Sequence, residues 1–123
     1  MASTRSKAPL RLLYSDAFKR QLRDLAKRYR QIRSDLQPLL EQLLAGETPG
    51  EQVSGTGYAL YKVRLRNRDA LRGKSGGYRV IYYVRTDSDR LLVTLYSKSD
   101  QADVPAAELR RIIEAHKASP ETG

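Results

Sequence analysis

Apolar and polar residues alternate strictly through Tyr61-Lys62-Val63-Arg64-Leu65-Arg66, and a second β-rich run follows at Tyr78-Arg79-Val80-Ile81-Tyr82-Tyr83-Val84. A strand turns successive side chains to opposite faces. The first run therefore sets Tyr61, Val63 and Leu65 against Lys62, Arg64 and Arg66. The second is dense in β-branched and aromatic residues, and the same parity sends Tyr78, Val80, Tyr82 and Val84 inward and Arg79 and Tyr83 outward. Leu91-Leu92-Val93-Thr94-Leu95-Tyr96-Ser97-Lys98 is a third strand. Its parity puts Leu91, Val93 and Leu95 toward the core and Thr94, Tyr96 and Lys98 on the other side. One face is thus expected to gather Lys62, Arg64, Arg79, Tyr83, Tyr96 and Lys98.

Upstream the period changes from two to 3.6. Leu10 to Tyr14 is a short strand ending at Ser15, a helix cap. Phe18, Leu22, Leu25 and Tyr29 then recur on one helical face, with Lys19, Arg20, Arg23, Lys27, Arg28 and Arg30 on the others, a pattern that suits a solvated flank. Ser34-Asp35-Leu36-Gln37 has the form of a capping box and predicts the start of a second helix. Pro38 sits in its first turn, Leu36, Leu39, Leu40, Leu43 and Leu44 form its buried stripe, and Gly46 closes it. The leucine run is too brief for sustained heptads, so it reads as core. Glu47 to Gly57 reads as a loop throughout. A last helix opens near Asp103-Val104-Pro105, with Asp103 as its cap, and buries Leu109, Ile112 and Ile113. The sum is an α+β domain: an N-terminal strand, a helical hairpin packed on an antiparallel sheet, and a C-terminal helix.

Composition narrows the chemistry. The 123-residue chain has 23 Lys and Arg against 14 Asp and Glu, a formal charge of +9, no Cys and one His. Disulfides and thiolate metal sites are excluded, and one histidine gives neither a His cluster nor two-histidine acid–base catalysis. His116 falls near the end of the last helix and reads as a surface residue facing its dipole. No run is apolar enough to span a bilayer and residues 1–9 lack a signal-peptide core, so a cytoplasmic protein is expected. The positive excess favours RNA, DNA, the ribosome or an acidic protein as partner.

An exposed row of cations is ordinarily just solvated, and edge lysines often only discourage aggregation. Sign purity argues for more. Between Lys62 and Lys98 the acids are Asp69, Asp87 and Asp89, all assigned to loops. Cations interleaved with aromatics suit a polyanion with stackable bases. Gly73-Lys74-Ser75-Gly76-Gly77 lacks Walker spacing and precedes a strand, not a helix. It reads either as a hairpin loop with positive-φ glycines or as a loop from which Arg72 and Lys74 hold an RNA backbone.

The series Tyr61-Lys62-Val63-Arg64-Leu65, then Gly77-Tyr78-Arg79-Val80-Ile81-Tyr82-Tyr83, resembles the paired-strand motif of the RelE superfamily of bacterial toxins. The stretch from Gly55-Thr56-Gly57 through Arg72-Gly73-Lys74-Ser75-Gly76-Gly77 to Tyr96-Ser97-Lys98-Ser99-Asp100 is similar to its HigB-like branch. The resemblance implies a toxin domain over 10–117 between a disordered basic tail, 1–9, and a second tail, 118–123. It also implies a type II toxin–antitoxin system, a ribosome-dependent mRNA endonuclease, and cleavage without metal or other cofactor by attack of the ribose 2′-OH on the adjacent phosphate. A cognate antitoxin, acidic or helix-turn-helix, is the implied partner beside ribosome and mRNA. Lys62, Arg64 and Arg79 fall at the family's catalytic positions, with Arg66, Arg72, Lys74, Tyr83, Tyr96 and Lys98 as RNA contacts. The chemistry agrees: guanidinium groups stabilise a phosphorane-like transition state, and a lysine among like charges is the candidate base. The best-known members carry an arginine and then a tyrosine after the last strand, where this chain has Ser99-Asp100-Gln101-Ala102-Asp103. A non-catalytic gyrase poison of the ParE branch and an inactive RNA-binding relative are the competing readings.

Overall fold

The computed structural model describes residues 10–68 and 77–118. Strand β1 (Arg11–Tyr14) leads into helix α1 (Asp16–Arg28) and helix α2 (Ile32–Leu44). Strands β2 (Glu51–Val53), β3 (Leu60–Leu65), β4 (Tyr78–Thr86) and β5 (Asp89–Ser97) follow, and helix α3 (Ala106–Ala118) closes the order. The strands form one sheet in the order β1-β5-β4-β3-β2. β1 runs parallel to β5 and every other pairing is antiparallel, so the α+β expectation holds with a mixed sheet.

The return from β1 to α1 turns on Ser15. Its hydroxyl accepts from the Phe18 amide at 2.9 Å, capping the helix, and donates to the Val93 carbonyl at 2.7 Å, tying the cap to β5. The helical hairpin then covers one face of the sheet. Phe18, Leu25, Ile32, Leu36, Leu39 and Leu43 bury themselves against Val63, Tyr78, Val80, Tyr82, Leu92 and Leu95. Helix α3 takes the opposite face, where Leu109, Ile112 and Ile113 meet Leu60, Ile81, Leu91 and Val93. With both faces occupied, β5 is buried from end to end, which is why it reads as a nearly continuous apolar run.

Four details depart from the sequence expectation. Helix α2 starts at Ile32 with no side-chain cap, and Leu44, expected in its buried stripe, is exposed where the helix ends. The capping-box residues lie inside it, and Asp35 turns to the chain after β3, accepting from the Arg68 amide at 3.1 Å and its Nε at 2.6 Å. The Glu47–Gly57 loop holds a short strand, β2, paired with Tyr61 and Lys62 on the free edge of β3. Asp89 is no loop residue: it opens β5, is buried, and binds Arg11 and Arg85.

The fourth departure is parity. Ile81 pairs with Thr94 but Tyr82 pairs with Leu92, so β5 carries a bulge at Val93–Thr94. Leu91 and Val93 face α3, whereas Leu92, Thr94 and Leu95 face the hairpin, not the alternation expected for this strand. Gln21 of α1 repairs the irregularity. Its Oε1 accepts from the Leu95 amide at 2.8 Å and from the Thr94 hydroxyl at 3.1 Å.

Glycines let two loops close on β3. Gly50, φ +98°, and Gly77, φ +76°, would place a Cβ 2.4 Å from the Lys62 carbonyl and 2.1 Å from the Leu65 carbonyl respectively. Neither approach admits a side chain.

Candidate nucleic-acid interface

The central strands bring the predicted cations into register. Arg64 on β3 stands opposite Arg79 on β4, which stands opposite Tyr96 on β5, a row across three strands. Lys62 lies on the same face opposite Ile81. Like charges directly opposite in a sheet oppose pairing, so the Arg64–Arg79 pair is not explained by stability. Arg64 is exposed, Lys62 and Arg79 are half-buried, and Tyr96 is buried. Arg66 and Lys98 lie exposed just past the ends of β3 and β5, where the Lys98 amide donates to the Gly77 carbonyl at 2.9 Å. Lys98 therefore belongs to the turn after the strand, not to the strand. Arg72 and Lys74 lie outside the described residues.

Tyr83 does not join this group. It sits four residues along β4 from Arg79, roughly 13 Å at strand rise, beside Leu60 and Leu91. Its ring packs edge-on to Tyr58 at 5.1 Å. The Tyr58 hydroxyl donates to the Glu114 carboxylate and accepts from Lys117 Nζ at 3.3 Å, with the ammonium also above the Tyr58 ring. Tyr83 is thus part of the dock for the end of α3. His116 lies half-buried in the last turn of that helix.

The sequence reading missed Asp103. Helix α3 begins at Ala106, and the Pro105 carbonyl accepts its first bond from the Leu109 amide at 3.1 Å, so Asp103 lies upstream of the cap. Its carboxylate instead reaches the cationic face. Oδ1 accepts from the Val104 amide at 2.9 Å, from Lys62 Nζ at 3.2 Å and from the Tyr96 hydroxyl at 3.5 Å. The expectation that this face carries no acid is corrected: one arrives from the loop after β5.

Electrostatics follow from these contacts. The Val104 amide, with Lys62 and Tyr96, holds the Asp103 carboxyl below the usual range. Burial, with help from Asp103 and against the pull of Arg79, pushes the Tyr96 phenol up, so it keeps its proton at neutral pH. Among the described residues, no group of three or more His, Asp or Glu is placed to hold a metal ion.

The family model of the RelE toxin of the RelE/RelB toxin–antitoxin system matches residues 18–121, most of the chain. The protein belongs to the RelE toxin family. No curated protein matches it. Membership makes this RelE-family chain a component of a toxin–antitoxin system and implies a cognate antitoxin. Among the described residues, no helix is long and apolar enough to cross a membrane.

Proposed function

We propose that this toxin is a ribosome-dependent mRNA endonuclease of the HigB-like branch, acting without a metal. The observation that carries the reading is the Arg64–Arg79–Tyr96 row with Lys62 beside it on the same face. In the proposed reaction the 2′-oxygen attacks the adjacent phosphorus and the bond to the 5′-oxygen breaks, giving a 2′,3′-cyclic phosphate and a 5′-OH. Lys62 assists removal of the 2′-proton. Arg79 and Arg64 stabilise the charge that accumulates on the phosphoryl oxygens. The departing 5′-oxygen needs a proton, and Tyr96, held protonated by burial, is the candidate donor. Arg66 and Lys98, at the margin of the row, would guide the flanking backbone. The antitoxin proposed to silence this surface presents an acidic arm to it.

Arg79→Ala and Lys62→Ala test the assignment, because neither side chain fills the core and neither loss opens a cavity. Each variant should melt within a few degrees of the parent yet fail to arrest growth or cut mRNA on programmed ribosomes. Cut ends from the parent should be a cyclic phosphate and a 5′-OH. Soluble variants with full toxicity would remove these residues from the mechanism. Arrest with relaxed DNA and intact mRNA would assign the protein to the gyrase-poisoning class.

A further inference from the structure

Asp103 has no role in the cleavage scheme, yet it holds the middle of the site. It belongs to the loop between β5 and α3, but its Oδ1 takes a proton donor from β3, Lys62, and one from β5, Tyr96. β4 lies between those strands, so the carboxylate spans the strand that carries Arg79. One acceptor-only, negatively charged oxygen meeting an ammonium and a hydroxyl beside a guanidinium is what a phosphodiester oxygen would ask of the same surface. We propose that Asp103 Oδ1 occupies the seat of a substrate phosphate oxygen, so that the RNA-free toxin is capped by its own carboxylate and RNA binds by displacing it. That the anion is RNA rests on the nuclease reading; that the seat is an anion site does not.

The cap is built to leave. The Asp103 side chain is 64% exposed, and residues 98–103 are exposed throughout. The loop is held at a second point by Asp100, whose carboxylate takes both terminal nitrogens of Arg28 on α1, at 2.9 and 3.2 Å. That clamp lets the Asp103 end swing without releasing the loop from the body. Exposed ion pairs of this sort are weak, so an incoming phosphate chain with several contacts displaces one easily. Two other roles fit poorly. Asp103 does not cap α3, which begins at Ala106 with the Pro105 carbonyl as its first acceptor. As a proton acceptor for the 2′-OH it would be a weak base, because its amide and lysine partners favour the carboxylate.

The probes are inorganic phosphate and a single-stranded 2′-O-methyl RNA hexamer, which binds but cannot be cut, titrated by NMR against the full chain. Asp103→Asn should bind both more tightly, by up to about fivefold, the size an exposed ion pair converts to. Glu108→Gln removes the same charge from α3, where the carboxylate pairs with Arg111, and controls for net charge; it should bind like the parent. In a Lys62→Ala background, Asp103→Asn should gain less than in the parent, since of the two shared donors only Tyr96 remains. Binding by Asp103→Asn that is no tighter than Glu108→Gln, or weaker than the parent, overturns the cap. Tighter phosphate binding by Asp103→Asn in a protein that leaves ribosome-bound mRNA intact keeps the seat and removes the nuclease reading. Cleavage by the parent with no gain in Asp103→Asn does the reverse.

Discussion

The two faces of the central strands are made by the same alternation and do opposite work. Toward the helical hairpin, β3 and β4 send Val63, Tyr78, Val80 and Tyr82 into a core closed by leucines, isoleucine and Phe18. Toward α3 they send Leu60 and Ile81 under Leu109, Ile112 and Ile113, then Lys62, Arg64 and Arg79 at the margin of that cover. The first face is closed by two helices. The second is closed by one, pinned through Tyr58 to Glu114 and Lys117 at its far end. Charge is concentrated where cover is incomplete. A sheet with one face committed to stability is free to carry charge on part of the other, and two opposed arginines are tolerable there because the hairpin side supplies the burial.

The strongest way to break this contrast is to truncate both faces. Leu92→Ala, within the hairpin core, should cost about 2–5 kcal/mol through lost burial and the cavity it leaves. Arg79→Ala should change stability by about 0.5 kcal/mol or less while removing the proposed cleavage. Urea unfolding of both variants checks it. A loss from Arg79→Ala as large as that from Leu92→Ala would make the arginine structural and end the division of labour.

A smaller effect tests how the hairpin face absorbs the β5 bulge. Gln21→Leu keeps the side-chain volume but leaves the buried Leu95 amide and Thr94 hydroxyl without their acceptor. We expect about 1–3 kcal/mol of destabilisation, the cost of an orphaned buried donor. Gln21→Glu, which keeps the acceptor, should recover part of it. An unchanged melt in Gln21→Leu would mean that water or a shifted strand serves the bulge equally well.

That bulge also marks where the sequence stops being legible. β3 and β4 follow the period of two without interruption, so Lys62, Arg64 and Arg79 could be assigned to one face from the residues alone. On β5 one extra residue at Val93–Thr94 exchanges the facing of Leu95 and Tyr96 relative to Leu91 and Leu92, and a run apolar on both sides gives no pattern against which the slip shows. Tyr83 obeyed parity but sits too far along its strand, since parity fixes a face and not a distance. Asp103 and Asp35 share a different cause. Asp103 reads as a cap and Asp35 as a middle position of a capping box, and each is instead recruited by a cation distant in sequence, Lys62 and Arg68 respectively. β2 escaped notice because three residues between glycines carry no period at all.

The smallest expected effect compares two acids, one on each side of the exposure divide. Asp89 is buried at the start of β5 and takes Arg11 Nε at 3.1 Å and Arg85 at 3.0 Å, fastening β1 to the sheet edge. Arg11, chiefly through its hydrogen bond, and then Arg85 hold the Asp89 carboxyl below its ordinary value, against the burial that pushes it up. A carboxyl lowered on folding stabilises the native state above the unfolded value near 4, and that contribution fades as pH falls through the lower folded value. Because Arg11 is more than half exposed, solvent screens the pair and its contribution is about 1 kcal/mol. Asp89→Asn should therefore melt below the parent at pH 7, with the gap narrowing as pH drops from about 5 toward 2. Asp103→Asn, removing a carboxylate that is also held low on folding but is mostly in water, should open a smaller gap of the same sign that closes over the same range. A gap for Asp89→Asn that is unchanged at low pH would place its effect in packing at the sheet edge rather than in charge.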